Sequence, residues 1–89
     1  MRWKVDRNKL GETHYRRDEG GRSGGRTASV VINKSTEGFY EVNGVVIERG
    51  FQDTTHVVLH KKSPKFKSKV VAKRYLWGLK RQINHRFFR

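Results

Sequence analysis

Phe39-Tyr40-Glu41-Val42-Asn43-Gly44-Val45-Val46-Ile47-Glu48 is the stretch on which the reading of this chain turns. Asn-Gly between two runs of β-formers favours a two-residue type I′ hairpin, because both turn positions need φ > 0. Pairing across such a turn sets Val42 against Val45 and Tyr40 against Ile47 on one face. Glu41/Val46 and Phe39/Glu48 then fall on the other. That register sorts the ten residues into an apolar face and a mixed face, as a half-buried sheet requires.

Working outward, Ala28-Ser29-Val30-Val31-Ile32-Asn33 is β-branched and reads as a strand, followed by turn chemistry from Lys34 to Gly38. Downstream, Gly50-Phe51-Gln52-Asp53 turns the chain, and residues 55–61 read as another strand. In it, Val57 and Leu59 point one way while His56, Val58 and His60 point the other. After Ser63-Pro64 the period changes. Ala72, Leu76, Leu79, Ile83 and Phe87 step by 4, 3, 4 and 4, the stripe of an amphipathic helix, with Ser63 or Ser68 as its N-cap. Gly78 interrupts that helix at a cost of about 1 kcal/mol relative to Ala, so it marks either a bend or the close approach of another backbone.

The expected fold is α+β: a three- to four-stranded antiparallel meander with one C-terminal helix packed on one face. Residues 27–89 form this domain. Residues 1–26 precede it as an N-terminal edge strand around Trp3 and Val5, then a flexible Gly/Arg-rich loop or arm ending in Gly20-Gly21-Arg22-Ser23-Gly24-Gly25-Arg26. Eighty-nine residues suit one small domain, and ten aromatics oppose a disordered chain despite 33% charged residues. Without Cys there is no disulfide framework or thiolate metal site. No apolar run reaches the length of a membrane span and no signal-peptide core opens the chain, so a cytoplasmic or nucleoid-associated location is expected.

The charge is segregated. From Thr54 onward there is no Asp or Glu, while eleven Lys and Arg place +11 of the net +13 in the last 36 residues. Such a block repels itself unless a polyanion or an acidic surface neutralises it. Two segments supply the cations: Lys61, Lys62, Lys65, Lys67 and Lys69 before the helix, and Lys73, Arg74, Lys80 and Arg81 on it. Arg22 and Arg26 add an auxiliary arm. Lysines at a helix start oppose the macrodipole, yet together with the free amides there they make a phosphate clamp. The expected function is therefore non-enzymatic nucleic-acid binding, duplex DNA before RNA, through the basic helix and the lysine-rich loop ahead of it.

A rival expectation comes from Val70, Trp77 and Phe88, which the helical wheel sets away from the core stripe. As outward anchors they suit a small regulator or inhibitor, of the kind a virus encodes, that binds an acidic surface of a partner protein. The sheet face opposite the helix is expected to carry Phe39, Glu41, Val46, Glu48, His56, Val58 and His60. His56 and His60 lie roughly 13 Å apart along a strand, too far to share a metal, and no nucleophile accompanies them. No metal, cofactor or catalytic residue is assigned. In topology, residues 27–89 resemble integrase arm-binding domains, in which a three-stranded sheet enters the DNA groove and a helix backs it, and they also resemble a single-strand-binding fold built of a strand meander and a terminal helix. The likeness extends to no shared motif and implies DNA binding only by analogy.

Overall fold

A computed structural model of the protein describes residues 3–8, 11–18, 25–50 and 54–88. Five strands, β1 (Lys4–Asn8), β2 (Gly11–Asp18), β3 (Arg26–Lys34), β4 (Tyr40–Arg49) and β5 (Thr55–Lys62), form one antiparallel sheet in the order β1-β2-β3-β4-β5. Helix α1 (Lys69–Phe87) follows and packs across β3 and β4. The α+β class stands, but the sheet has five strands rather than three or four. The two strands expected around Asn43-Gly44 are one, β1 joins the same sheet, and the strand not anticipated is β2, in the segment Gly-Glu-Thr-His-Tyr-Arg-Arg-Asp, whose polarity hides its period of two.

Asn43-Gly44 is not a turn. β4 runs straight through it, paired with β3 from Lys34↔Tyr40 to Arg26↔Glu48. The chain reverses earlier, between Ser35 and Phe39. There Gly38 takes φ +88° and its N–H donates to the Ser35 carbonyl at 3.0 Å. Gly38 is the only positive-φ glycine among the described residues. Nine pairs in an uninterrupted ladder outweigh the local preference of one dipeptide for a turn.

The same continuity changes which residues share a face. Val42, Gly44 and Val46 look toward the helix and are buried, so Val42 and Val45 lie on opposite faces. Gly44 is needed for a different reason from the one its sequence context suggests. A Cβ there would lie 2.6 Å from Leu79 Cδ2, so the glycine makes room for the helix to settle on the sheet.

The core joins Ala28, Val30, Ile32, Val42 and Val46 of the sheet to Ala72, Leu76, Leu79, Ile83 and Phe88. Four of the five residues in the anticipated helical stripe are buried as expected. At the C-terminal end Phe88 takes the buried place and Phe87 is half-buried. The helix ends at Phe87, and Phe88, its C-cap at φ −129°, leaves the helical wheel and folds back onto the core. Ser68 is the N-cap, its Oγ accepting from the Val71 N–H at 3.4 Å. Ser63 instead closes the end of β5: its N–H donates to the Val42 carbonyl and its Oγ accepts from the Val42 N–H, both at 2.8 Å. Phe66 then bridges to Tyr40 and tilts against Tyr75, with ring centroids 5.7 Å apart, which pins the loop before the helix.

Candidate nucleic-acid interface

With Ala72, Leu76, Leu79 and Ile83 on the sheet, the outward side of α1 presents Val70, Arg74, Trp77 and Arg81, spaced 4, 3 and 4. Val70 is 61% and Trp77 60% exposed. Lys65, Lys67 and Lys69 are exposed ahead of this stripe, and the first helical turn contains no acidic residue. Lys65, Lys67, Lys69, Arg74 and Arg81 have neither a hydrogen bond nor an ion pair among the described residues. These five cations, Val70 and Trp77 are all exposed, and no acidic residue lies between Lys65 and Arg81 in the sequence.

The flank of α1 nearest β2 is different. Glu12, His14 and Arg16 alternate along β2 and point under the helix, where they meet Lys73, Lys80 and Asn84. Glu12 is approached by Arg7 at 3.6 Å, His14 Nε2 at 2.8 Å and Lys73 at 3.6 Å. The Lys80 ammonium can only donate, and it lies 3.1 Å from His14 Nδ1. His14 therefore carries its proton on Nε2 and passes it as a hydrogen bond to Glu12. That bond, with help from Lys73 and Arg7 against the opposing effect of burial, holds the Glu12 carboxyl below the usual carboxylate range. Burial lowers the Lys80 pKa, partly offset by Glu12. Arg16 donates to Asn84 Oδ1, and its guanidinium lies 4.6 Å above the Phe88 ring. Lys80 lies 5.4 Å above the Trp3 ring. Arg16 Nε and Trp3 Nε1 are buried without a hydrogen-bond partner.

Lys73 and Lys80 are thus engaged internally as well as lying beside the outward stripe. Lys61 and Lys62 belong to β5, not to the loop, and diverge. Lys61 faces the helix side and reaches Gln82 at 3.5 Å, whereas Lys62 is on the open face, 4.0 Å from Glu41. Arg26 is fixed in the fold, with Nε 3.2 Å from Glu48 and Nη1 donating to the Phe87 carbonyl at 2.8 Å. Arg22 lies outside the described residues, as do Gly20, Gly21 and Gly24 beside it. Of the three anticipated anchors, Val70 and Trp77 are outward. Phe88 is not: it is 7% exposed and capped by Arg16.

The open sheet face also differs from expectation. It carries Glu41, Asn43, Val45, Ile47 and Arg49 from β4, while Val46 and Glu48 turn toward the helix side. Between Val46↔Leu59 and Ile47↔Val57 the register slips, leaving Val58 as a bulge. His60, opposite Val45, is therefore on the open face and His56, opposite Glu48, is on the other. Glu12, His14 and Arg16 are the residues that sequence reasoning overlooked. Their alternation with Thr13, Tyr15 and Arg17 is the period-two signal that could have placed them.

Among the described residues no group of three or more His, Cys, Asp or Glu could hold a metal ion, and no helix is long and apolar enough to cross a membrane. No protein-family model, curated protein or solved structure matches this chain. The chemistry the surface offers is charge neutralisation and aromatic stacking by a rigid element.

Proposed function

We propose that this protein binds nucleic acid, duplex DNA in the first instance, along the outward face of α1 and the lysine loop ahead of it. The observation that carries the proposal is the set of exposed cations Lys65, Lys67, Lys69, Arg74 and Arg81, none of them paired with a carboxylate among the described residues. A solvated face normally mixes both signs, so a one-sign field on a small domain favours a polyanion. The 19-residue helix is about 28 Å long, comparable to the rise of one turn of duplex. Arg74 and Arg81 suit phosphates or guanine edges. Trp77 between the two arginines adds a stacking surface.

The test is fluorescence anisotropy with a labelled 20-base-pair duplex across a salt series. Five phosphate contacts give a slope of log K against log salt of about −4 to −5. Arg74→Glu combined with Arg81→Glu lowers affinity at least about tenfold and flattens the slope, while Lys62→Glu on the open face changes little. A slope near zero rules the proposal out.

A second reading is favoured by the exposure of Val70 and Trp77 themselves, which phosphate binding does not need. In it the same stripe docks an acidic surface of a partner protein, Trp77 serving as anchor and the cations as guides. Trp77→Ala separates the two: it abolishes a protein complex and leaves most of the non-specific DNA affinity in place.

A further inference from the structure

Among the described residues nothing requires a glycine at position 78. A Cβ built on it meets nothing within 4 Å, so no backbone of the described residues comes close enough to require a glycine. The residue nevertheless costs the helix about 1 kcal/mol relative to Ala. It sits on the flank of α1 that looks toward β5, lining a recess of about 140 Å³ with Lys61, Tyr75, Leu79 and Gln82. Beyond the Lys61–Gln82 bridge that recess continues as a cavity of about 620 Å³, whose walls include Leu59, Ile83, Phe87 and Arg86. Together they form a groove between the helix and the edge of the sheet.

The other wall of the groove is a strand edge with which no described strand pairs. β5 is the last strand of the sheet. The Ser63 N–H points at Val42 of β4. Alternation along an antiparallel strand therefore turns the N–H groups of Leu59 and Lys61 inward and those of His60 and Lys62 outward. A strand laid beside β5 pairs with these outward groups and puts every second side chain up against the helix flank. There the floor is apolar, from Leu59, Ile83 and Phe87, and the charged rim is Lys61 and Arg86, neither ion-paired among the described residues. Among the described residues the groove is lined by no carboxylate.

We infer that the groove between β5 and α1 is a strand-addition site for an extended acidic segment of a partner protein. Acidic side chains on the segment's helix-facing side meet Lys61 and Arg86, and an apolar one between them covers Leu59 and Ile83. Such recognition takes affinity from main-chain pairing and specificity from alternate side chains. Gly78 is open because the segment passes there. The site is on the opposite flank of the helix from the Glu12–Lys73 contact and does not depend on the nucleic-acid face.

The probe is an eight-residue acetylated, amidated peptide, Glu-Glu-Val-Val repeated twice, which presents acidic and apolar groups in turn on each face when extended. Its binding is followed by amide NMR on the full chain. The expected result is saturable binding with slowed exchange of the His60 and Lys62 amides, and no binding of the matching peptide with Lys in place of Glu. Gly78→Leu fills the groove and lowers affinity at least about tenfold without lowering the melting temperature, and Lys61→Glu does the same. Arg74→Glu with Arg81→Glu leaves peptide binding unchanged, so failure here and failure of nucleic-acid binding are read separately. The inference is overturned if Gly78→Leu binds the peptide as well as wild type, if the lysine peptide binds equally, or if shifts centre on Trp77. It is also overturned if a 15-nucleotide single strand, rather than the peptide, is what Gly78→Leu excludes.

Discussion

Gly44 shows how one residue can satisfy two opposite readings. In the sequence, Asn43-Gly44 has the composition of a hairpin turn, and in the structure it lies in the middle of the longest strand. What glycine supplies there is absent volume, because Leu79 occupies the place of its missing Cβ. Gly44→Ala should therefore destabilise the protein by about 1–3 kcal/mol, the usual cost of overpacking a filled core. In urea denaturation, the loss caused by Leu79→Ala in the Gly44→Ala background should be smaller than in the wild type, since the second change removes the methyl that the first collides with. If the two losses simply add, the contact is not what selects glycine. A local turn signal was legible in the sequence, but the competing demand came from a residue 35 positions away that no window around Asn43 contains.

Among the elements, α1 and β3 were the most legible, because apolar period and burial coincide in them. β2 was the least. Its inward residues Glu12, His14 and Arg16 are polar, so hydrophobic alternation, the signal that reveals most strands, is missing. They fasten the β1–β2 hairpin to the helix through charge and hydrogen bonds, where β3 and β4 use the apolar core. Glu12→Gln is expected to cost about 1–3 kcal/mol at neutral pH, as for loss of hydrogen bonds to charged groups. The pH dependence follows from the lowered Glu12 pKa. The unfolded chain takes up the proton first on acidification, so the stabilisation is complete above the ordinary carboxylate range and is lost as pH falls through the lower folded value. Wild type and Glu12→Gln should consequently draw together in stability as pH falls below the ordinary carboxylate range, measured by urea denaturation at several pH values. Parallel curves down to pH 2 would contradict the assignment.

Across the whole molecule, the charge separation seen in the sequence is only partly a separation in space. Lys62 lies with Glu41 on the open face, Arg26 braces the end of the helix, and Lys73 and Lys80 are held by β2. The remaining cations of the outward stripe and its leading loop form the field. Counting basic residues along the chain could not distinguish these groups, because which ones are neutralised depends on strands that pair across the sheet. Lys73 has a further consequence. Glu12 already offers it what a phosphate would offer, so a polyanion settling on the helix competes with the chain's own carboxylate for the same ammonium. Success in that contest loosens the amino-terminal hairpin. Hydrogen exchange in β1 and β2 should then quicken when duplex DNA is bound, while β3 and β4 stay protected. Ligand binding would thus be registered at the far edge of the sheet, a built-in tell-tale carried by one borrowed counterion.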